Sequence, residues 1–429
     1  MNYKQTEEYL YSQLPVFHRQ GASAYKANLD STIALMTALS HPEDKFRSIH
    51  VAGTNGKGSS SHLLASIMYE YGLKTGLHTS PHLKDLTERI VINGKQASKN
   101  YVIQFVKRNQ KILESIAPSF FEMMVAMAFN YFAGKTDIAV IEVGMGGRLD
   151  STNVITPQVC LITNISFDHT QFLGDTLEKI AAEKAGIIKK GVPVVISQTQ
   201  KETKPVFMAK AKEQGCKIYF ADENFAIRNL KEQSGMLVMD IYQNGKLYIK
   251  NLQCPLTGDY QKKNILGVIQ TVEALNQTGK YHISKQNIAD GIKNVMNNFP
   301  LWGRWQTLST NPLTVCDTGH NEDGLRYVME QLQRTRKKNL HFVIGVVNDK
   351  DIDTEIRMLP KDAVFYLCKA DIPRGLDVET LSGKFKAAGL KFKAFGSVKD
   401  ALKQAQKDAL ADEGMVFVGG STYTVAEIV

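Results

Sequence analysis

The sequence lacks any apolar run of about 18 residues, the length from which a membrane-spanning helix is inferred. Residues 1–8 are polar and of mixed charge, unlike the start of a secretory leader. We therefore expect neither membrane insertion nor secretion, and a cytoplasmic location. The 429 residues, of which 43% are hydrophobic and 22% charged, are typical of a globular protein with two or three domains.

Cysteine is scarce, and none of the five residues has the C-x-x-C spacing of a zinc or redox motif. This pattern predicts neither a disulfide framework nor a zinc site. We expect buried thiols at Cys160, Cys216, Cys254, Cys316 and Cys368.

The sequence also lacks the pattern of a nucleic-acid-binding module. Its net charge is +9, but the lysines are dispersed and no aromatic stripe lies among them. We expect no nucleic-acid partner and attribute the charge to a solvated basic surface. A positive surface is compatible with small anionic ligands such as ATP.

The most informative stretch is the glycine-rich segment 50–61, H-V-A-G-T-N-G-K-G-S-S-S. It lies between a short apolar run and a segment of helical periodicity, so the glycines are predicted at a strand-to-helix turn, where backbone N–H groups and the helix dipole can bind a phosphate. Lys57 would add positive charge. Val51 replaces the first glycine of the standard P-loop, and Gly58 replaces its magnesium-binding Ser/Thr. Metal ligands must therefore come largely from elsewhere.

Two candidate metal ligands follow predicted strands. The apolar stretch 137–141 predicts a buried central strand, and the carboxylate of Glu142 at its end is suited to Mg²⁺. Pairing with Arg148 is the alternative for this carboxylate. Ser80 follows a short predicted strand at 75–78, but a serine before a proline is most often a turn residue.

Several other polar residues have ordinary explanations when each is taken alone. Asp168 would begin a turn or a helix, His169 would be a core histidine, and Lys184 would be a solvated helical residue. Glu122 forms a capping box with Ser119, which is a sufficient structural role.

We predict an α/β fold with two domains. The first, residues 1–296, is a P-loop-type domain with N-terminal helices, a mainly parallel sheet, flanking helices and a small β-hairpin at Asn244-Gly245. Residues 297–303, N-N-F-P-L-W-G, form a predicted linker. Residues 304–429 alternate strands and helices, which predicts a smaller Rossmann-like α/β domain.

The segment G-T-N-G-K-G-S at 53–59 resembles the phosphate loop of the Mur ligase superfamily, particularly its folylpolyglutamate synthase/dihydrofolate synthase branch. Residues 142–150, E-V-G-M-G-G-R-L-D, and 317–321, D-T-G-H-N, resemble further signatures of that branch. Further similarities lie at residues 14–26, 79–83, 88–94, 303–304, 348–351 and 420–423. Members of the superfamily join an amino acid to a carboxylate using ATP. About 50 residues precede the loop, too few for the UDP-binding domain of the cell-wall members, since an independent α/β domain needs roughly 100.

This resemblance implies roles for individual residues. The implied ATP contacts are Gly53, Thr54, Asn55, Gly56, Lys57, Gly58, Ser59, Asn264, Arg304 and Asp317. The implied ligands of two magnesium ions are Ser80, Glu142 and His169, and the implied glutamate contacts are Arg89, His320, Ser421 and Tyr423. The implied catalytic groups are Lys57, His169, Lys184 and His320; in the family the lysine at the position of Lys184 is carbamylated.

Two positions depart from the family pattern. Tyr260 replaces the histidine of the motif G-x-H-Q-x-x-N, so the role of this residue stays open. The segment 317–321 reads D-T-G-H-N where the family pattern is D-G-A-H-N, so the glycine and the small residue between Asp317 and His320 are displaced. Asp317, His320 and Asn321 keep their positions in the motif.

We therefore predict an ATP-dependent amide ligase of folate biosynthesis and one-carbon metabolism. It would add L-glutamate to dihydropteroate, to (poly)glutamylated tetrahydrofolate, or to both, through an acyl phosphate. The predicted partners are these small molecules, with no nucleic acid and no membrane, and we expect a monomer. Because the loop and His320 fall in different predicted domains, the reaction would require domain closure.

Two alternative functions stay open. The first is another Mur-type amino-acid ligase, which the short N-terminal region disfavours. The second is a P-loop kinase or ATPase, which would leave the second domain without a role.

Overall fold

The computed structural model describes residues 1–13, 28–336, 338–348 and 352–429. The similarity predicted at 14–26, and residues 349–351 of the one at 348–351, lie outside the described residues. The chain divides into two compact units. The first comprises Met1–Pro255 and Gln261–Leu301, and the second comprises Leu256–Tyr260 and Trp302–Val429.

The first unit is built on an eight-stranded sheet with the order β4-β3-β2-β5-β1-β6-β7-β8. Its strands are β1 Arg47–Ala52, β2 Thr75–His78, β3 Ile90–Ile92, β4 Lys95–Gln96, β5 Ile138–Glu142, β6 Val159–Ile162, β7 Val194–Ile196 and β8 Ile218–Phe220. The run from β2 to β8 is parallel, whereas β3 and β4 pair antiparallel at one edge. Every residue of β5 is buried, as expected of a central strand covered on both faces.

The helices of the first unit flank this sheet. They are α1 Tyr3–Gln13, α2 Asp30–Ala38, α3 Lys57–Glu70, α4 Lys99–Ile116, α5 Phe120–Phe132, α6 Thr170–Leu173, α7 Leu177–Ala185, α8 Lys204–Glu213, α9 Ala221–Asn224, α10 Gln261–Asn276, α11 Lys285–Lys293 and α12 Val295–Asn298. Short 3-10 helices lie at Pro42–Lys45, Leu86–Arg89 and Ser151–Val154. The capping box predicted for Ser119 and Glu122 is confirmed at the start of α5.

The predicted β-hairpin is part of a separate three-stranded antiparallel sheet with the order β11-β10-β9. Its strands are β9 Phe225–Gln233, β10 Met236–Gln243 and β11 Lys246–Cys254. The Asn244-Gly245 turn joins β10 to β11 as predicted, but β9 was not predicted. Most of β9 is exposed and polar, so it carries no apolar alternation by which a strand can be recognised.

The second unit has a six-stranded sheet with the order β12-β13-β17-β14-β15-β16. Its strands are β12 Gln306–Thr310, β13 Leu313–Cys316, β14 Leu340–Ile344, β15 Val364–Leu367, β16 Lys391–Ala394 and β17 Met415–Gly419, of which only β12 pairs antiparallel. Its helices are α13 Glu322–Thr335, α14 Ile352–Met358, α15 Val378–Ala387, α16 Val398–Ala411 and α17 Thr422–Ala426. Neighbouring residues such as Phe342 and Val343 enter opposite cores, because alternate strand residues face opposite sides.

These two units confirm the predicted α/β class, a large mainly parallel sheet and a smaller α/β unit. All five cysteines are free, and all except the half-buried Cys216 are buried. Among the helices in the described part of the chain, none combines the length and the apolar character that crossing a membrane requires.

Candidate active site

The predicted phosphate loop is the turn between β1 and α3. Gly53 has φ +143° and Gly56 has φ +84°, a backbone region that favours glycine. Space also requires glycine here: a Cβ on Gly53 would collide with the side chain of Thr163, and one on Gly56 would collide with the side chain of Asn264. The loop therefore has a backbone shape that most residues could not adopt.

Residues that follow β6 hold this loop in place. The Thr54 N–H donates to the Asn164 carbonyl at 2.8 Å, and the Asn55 N–H donates to Asn164 Oδ1 at 2.7 Å. Thr163 Oγ1 donates to the Asn55 carbonyl at 2.6 Å, and Thr54 Oγ1 donates to the Ser166 carbonyl at 3.1 Å. The sequence analysis missed these supporting residues. Their only signal was the pair of polar side chains Thr163 and Asn164 directly after the apolar residues of β6.

Two lysines meet at one carbonyl of the loop. Lys57 Nζ donates to the carbonyls of Gly53 and Thr54 at 3.1 and 3.0 Å. Lys184 Nζ, from α7, donates to the same Gly53 carbonyl at 2.9 Å. Lys184 is only 3% exposed, so it is not the solvated helical residue that its local sequence suggests.

The environment of Lys184 changes its protonation. Burial, followed by the charge of Lys57, lowers the pKa of Lys184 to about 7, while Asp168 and Asp150 act in the opposite direction. A large fraction of this side chain is therefore a neutral amine near neutral pH. A neutral amine is a nucleophile, which an ordinary lysine is not under these conditions.

Glu142 lies at the carboxyl end of β5 and is 4% exposed. The Ser80 N–H, which follows β2, donates to Glu142 Oε2 at 3.2 Å. The alternative partner of this carboxylate, Arg148, instead donates to Glu183 Oε1 at 2.9 Å. Two of the three predicted metal ligands thus come together at the edge of the sheet where the phosphate loop lies.

The segment after Glu142 is held by Asp150. The Asp150 carboxylate accepts the N–H groups of Gly144 and Met145 on Oδ2, at 3.0 and 2.9 Å, and the N–H of Thr152 on Oδ1 at 3.0 Å. A Cβ on Gly147 would lie 2.8 to 2.9 Å from carbonyl oxygens of α7, the helix that carries Lys184. The E-V-G-M-G-G-R-L-D signature thus links the Glu142 strand to the Lys184 helix.

His169, the third predicted metal ligand, precedes α6 in the left-handed backbone region, with φ 49°. Its ring Nε2 lies 3.8 Å from Asp168 Oδ1, and its side chain is 37% exposed. Glutamate carboxylate, serine hydroxyl and imidazole are possible magnesium donors, of which the two oxygen groups suit this ion best. Among the described residues, the only His/Cys/Asp/Glu cluster with ligand atoms within 4.8 Å of one another lies elsewhere, at His41, Glu43 and Asp44.

Asn264 lies on α10 against the loop and is 5% exposed. Its Nδ2 donates to Gln261 Oε1 at 2.8 Å, and Gln261 Nε2 donates to Ser59 Oγ at 3.1 Å in the first turn of α3. Asn264 is therefore placed beside the loop. The intervening Gln261 was not among the predicted site residues.

In the second unit, Asp317 lies at the end of β13 and is 2% exposed. Its Oδ2 accepts the Tyr260 hydroxyl at 2.6 Å and the Trp305 N–H at 2.7 Å, and its Oδ1 accepts the Gly319 N–H at 2.7 Å. Burial raises the pKa of Asp317, while these hydrogen bonds and the charge of Arg304 oppose the shift.

Arg304 and His320 both contact the segment that follows Asp317. The Arg304 guanidinium donates to the carbonyl of Gly303 at 3.1 Å and to the hydroxyl of Thr318. His320 Nδ1 lies 2.9 Å from the Thr318 carbonyl. Asn321 caps α13 by accepting the Gly324 N–H at 2.9 Å.

The remaining predicted glutamate contacts are separated along the chain. In the first unit, Arg89 is 2% exposed and its Nε donates to His82 Nδ1 at 2.8 Å. In the second unit, Ser421 is 3% exposed, and its Oγ accepts the Thr424 N–H at 3.1 Å and thereby caps α17. Tyr423 is a half-buried residue of the same helix.

Two family models together match most of this chain. Residues 51–272 match the Mur ligase middle domain, and residues 303–422 match the Mur ligase glutamate ligase domain. A Bacillus subtilis protein named dihydrofolate synthase/folylpolyglutamate synthase is 32% identical over 413 residues, which cover 94% of each chain. This chain belongs to the folylpolyglutamate synthase/dihydrofolate synthase branch of the Mur ligase family. The predicted recognition is confirmed.

Solved members of this branch share the fold. A Mycobacterium tuberculosis folylpolyglutamate synthase complexed with ADP is 30% identical and has a TM-score of 0.88, covering 99% of this chain and 97% of its own. An Escherichia coli protein in complex with DHPP and ADP is 27% identical with a TM-score of 0.85, covering 100% of this chain and 97% of its own. Like other members of the family, this protein is an ATP-dependent ligase.

Proposed function

We propose that this protein adds L-glutamate to dihydropteroate, to (poly)glutamylated tetrahydrofolate, or to both, and that the reaction proceeds through an acyl phosphate. A phosphate loop adjoins a buried carboxylate at the carboxyl ends of neighbouring parallel strands, β1 and β5. This edge is where open α/β sheets bind their ligands. That arrangement is the observation that carries the proposal, and membership of a family of ATP-dependent glutamate ligases supplies the reaction class.

The first step would be phosphoryl transfer. A carboxylate oxygen of the acceptor attacks the γ-phosphorus of ATP, ADP leaves, and an acyl phosphate forms. The N–H groups of the loop and the start of α3 suit the phosphates. The ammonium of Lys57, which donates hydrogen bonds to the loop carbonyls of Gly53 and Thr54, would supply positive charge to the outer phosphates. Such transfer is catalysed mainly by positioning and charge neutralisation.

Glu142 and Ser80, with His169 for a second ion, would hold Mg²⁺. The oxygen donors of Glu142 and Ser80 fit this ion, and the two residues are joined by the hydrogen bond from the Ser80 N–H to the buried Glu142 carboxylate. When bound, Mg²⁺ would neutralise phosphate charge and orient the transferred group.

Lys184 is proposed to carry a carbamate. Its lowered pKa leaves a large fraction of the amine neutral near pH 7, and the nitrogen lone pair of this form can attack the carbon of CO₂. One N–C bond forms and one proton leaves, which gives a carboxylate-like group on a buried residue that is otherwise a partly protonated amine. A Lys184→Ala variant should lose activity and regain part of it with a short-chain carboxylate. The matched control is Lys179→Ala, an exposed lysine of the same helix paired with Asp175, which should remain active.

In the second step the amine of glutamate attacks the acyl carbon, phosphate leaves, and the nitrogen loses a proton. Arg89, His320, Ser421 and Tyr423 are the proposed contacts of this amino acid. The basic side chain of Arg89 suits a carboxylate. The hydroxyl of Ser421 already caps a helix, so its variants require a measurement of folding alongside activity.

The test of this function is phosphate release from ATP with Mg²⁺, measured with and without glutamate. Dihydropteroate, tetrahydrofolate and no acceptor are compared in parallel. Glutamate-dependent release with both acceptors would establish two activities, and release with one acceptor would assign that one. Equal release without an acceptor, or none at all, would refute the proposal. A Lys57→Ala variant serves as the inactive control.

A further inference from the structure

Residue 260 is a tyrosine where the family pattern has a histidine, and it lies in a segment with an unexpected place in the fold. Leu256–Tyr260 belongs to the second unit, although the residues on both sides belong to the first. The segment is fastened to α13. The Asp259 N–H donates to Gln331 Oε1 at 2.8 Å, Gln331 Nε2 donates to the Thr257 carbonyl at 3.0 Å, and Arg334 pairs with Asp259.

The tyrosine ring is seated on this segment. A Cβ on Gly258 would lie 2.7 Å from Cζ of Tyr260, so glycine at that position allows the ring to pack against the backbone. Burial and the neighbouring Asp317 carboxylate raise the pKa of Tyr260 well above its ordinary value. The hydroxyl therefore remains a hydrogen-bond donor at any pH at which the protein works.

The hydroxyl of Tyr260 determines which part of Asp317 is left for a ligand. A carboxylate offers about four acceptor positions, two on each oxygen. Oδ2 accepts both the Tyr260 hydroxyl and the Trp305 N–H, whereas Oδ1 accepts only the Gly319 N–H from the described residues. Oδ2 is thus saturated, and a single acceptor position remains on Oδ1.

We infer that Tyr260 is a positioning residue for nucleotide binding: its hydroxyl holds the Asp317 carboxylate so that Oδ1 accepts one hydrogen bond from the nucleoside part of ATP. This inference rests on the proposed function, in which Asp317 contacts ATP. Without the hydroxyl, Oδ2 loses one of its two donors and the carboxylate can rotate, so the orientation of Oδ1 is no longer fixed.

The test is the substitution Tyr260→Phe, with ADP binding measured by titration calorimetry. We expect the Kd of ADP and the KM of ATP to rise by a similar factor, about tenfold, because a hydrogen bond to a charged group is lost away from the phosphates. The kcat and the KM of glutamate should change less than twofold. Tyr260→His, which restores the family residue, should recover part of the ADP affinity.

The matched control is Tyr366→Phe. The Tyr366 hydroxyl donates to Asp408 Oδ2 at 2.6 Å in the same unit, so the same kind of bond is lost away from the site. This variant should bind ADP like the wild type, and circular dichroism should show that both variants are folded. Unchanged ADP binding in Tyr260→Phe, or equal weakening in both variants, would overturn the inference. Since ADP binding needs no ligation, a failure of the proposed reaction would be seen separately, in the phosphate-release assay.

Discussion

The buried Lys184 makes the stability of the first unit depend on pH in a predictable direction. Its pKa is about 7 in the folded protein against an ordinary value of 10.5. The unfolded chain therefore binds more protons between these values, and unfolding is favoured as the pH falls through this window. Replacing Lys184 by methionine, which has similar length and no charge, should remove this effect.

The size of the effect follows from the two pKa values. Each pH unit between them contributes about 1.4 kcal/mol. At pH 8.5 the preference of the proton for the unfolded chain should favour unfolding by about 3 kcal/mol, and at pH 6.5 by about 5 kcal/mol. The stability difference between Lys184→Met and the wild type should thus grow by about 2 kcal/mol between these pH values. Loss of the hydrogen bond to Gly53 lowers the stability of Lys184→Met by about 1 kcal/mol at both pH values, so it does not affect the change in stability difference between them.

Urea unfolding in carbonate-free buffer, followed by far-UV circular dichroism, would measure this difference. The fluorescence of the two tryptophans offers an internal control, since Trp302 and Trp305 both lie in the second unit. The exposed Lys179→Met should show no comparable pH dependence. A stability difference between Lys184→Met and the wild type that does not change with pH would refute the argument. Added bicarbonate should stabilise only proteins that retain Lys184, because the proposed carbamate would form in the folded state.

Two further predictions concern the carboxylates of the first unit. Glu142→Gln should raise the Mg²⁺ concentration needed for half-maximal activity at least tenfold, which a metal titration would measure. The control is Glu183→Gln, which breaks a surface pair with Arg148. Equal Mg²⁺ requirements in the two variants would argue against Glu142 as a ligand. Asp150→Ala should destabilise the protein by about 3 kcal/mol, because three N–H groups, that of the buried Thr152 and those of the half-buried Gly144 and Met145, lose their acceptor. Thermal unfolding should show a smaller loss for Asp85→Ala, which removes a less buried cap, and equal losses would contradict this account.

Local sequence patterns predicted much of this protein. The glycine-rich turn after β1, the apolar strand that ends at Glu142, the capping box of α5 and the alternation of strands and helices each depend on a few adjacent residues. Backbone geometry and periodicity are properties of such short stretches. The α/β class and the family were therefore predicted from motifs alone and were then confirmed by the fold and the comparisons. The exposed strand β9 has no apolar pattern and was missed.

The chemical state of the site was decided by tertiary structure. Lys184 and Gly53 are 131 positions apart, and nothing near Lys184 in the sequence indicates that its ammonium is buried against that carbonyl and beside Lys57. Tyr260 and Asp317 are 57 positions apart, and the sequence shows only that residue 260 is unusual. Burial, hydrogen bonding and neighbouring charge set a pKa, and all three depend on which distant segments the fold brings together. The sequence alone therefore determined which chemical groups are present, and the fold decided which of them are charged, paired or available to a ligand.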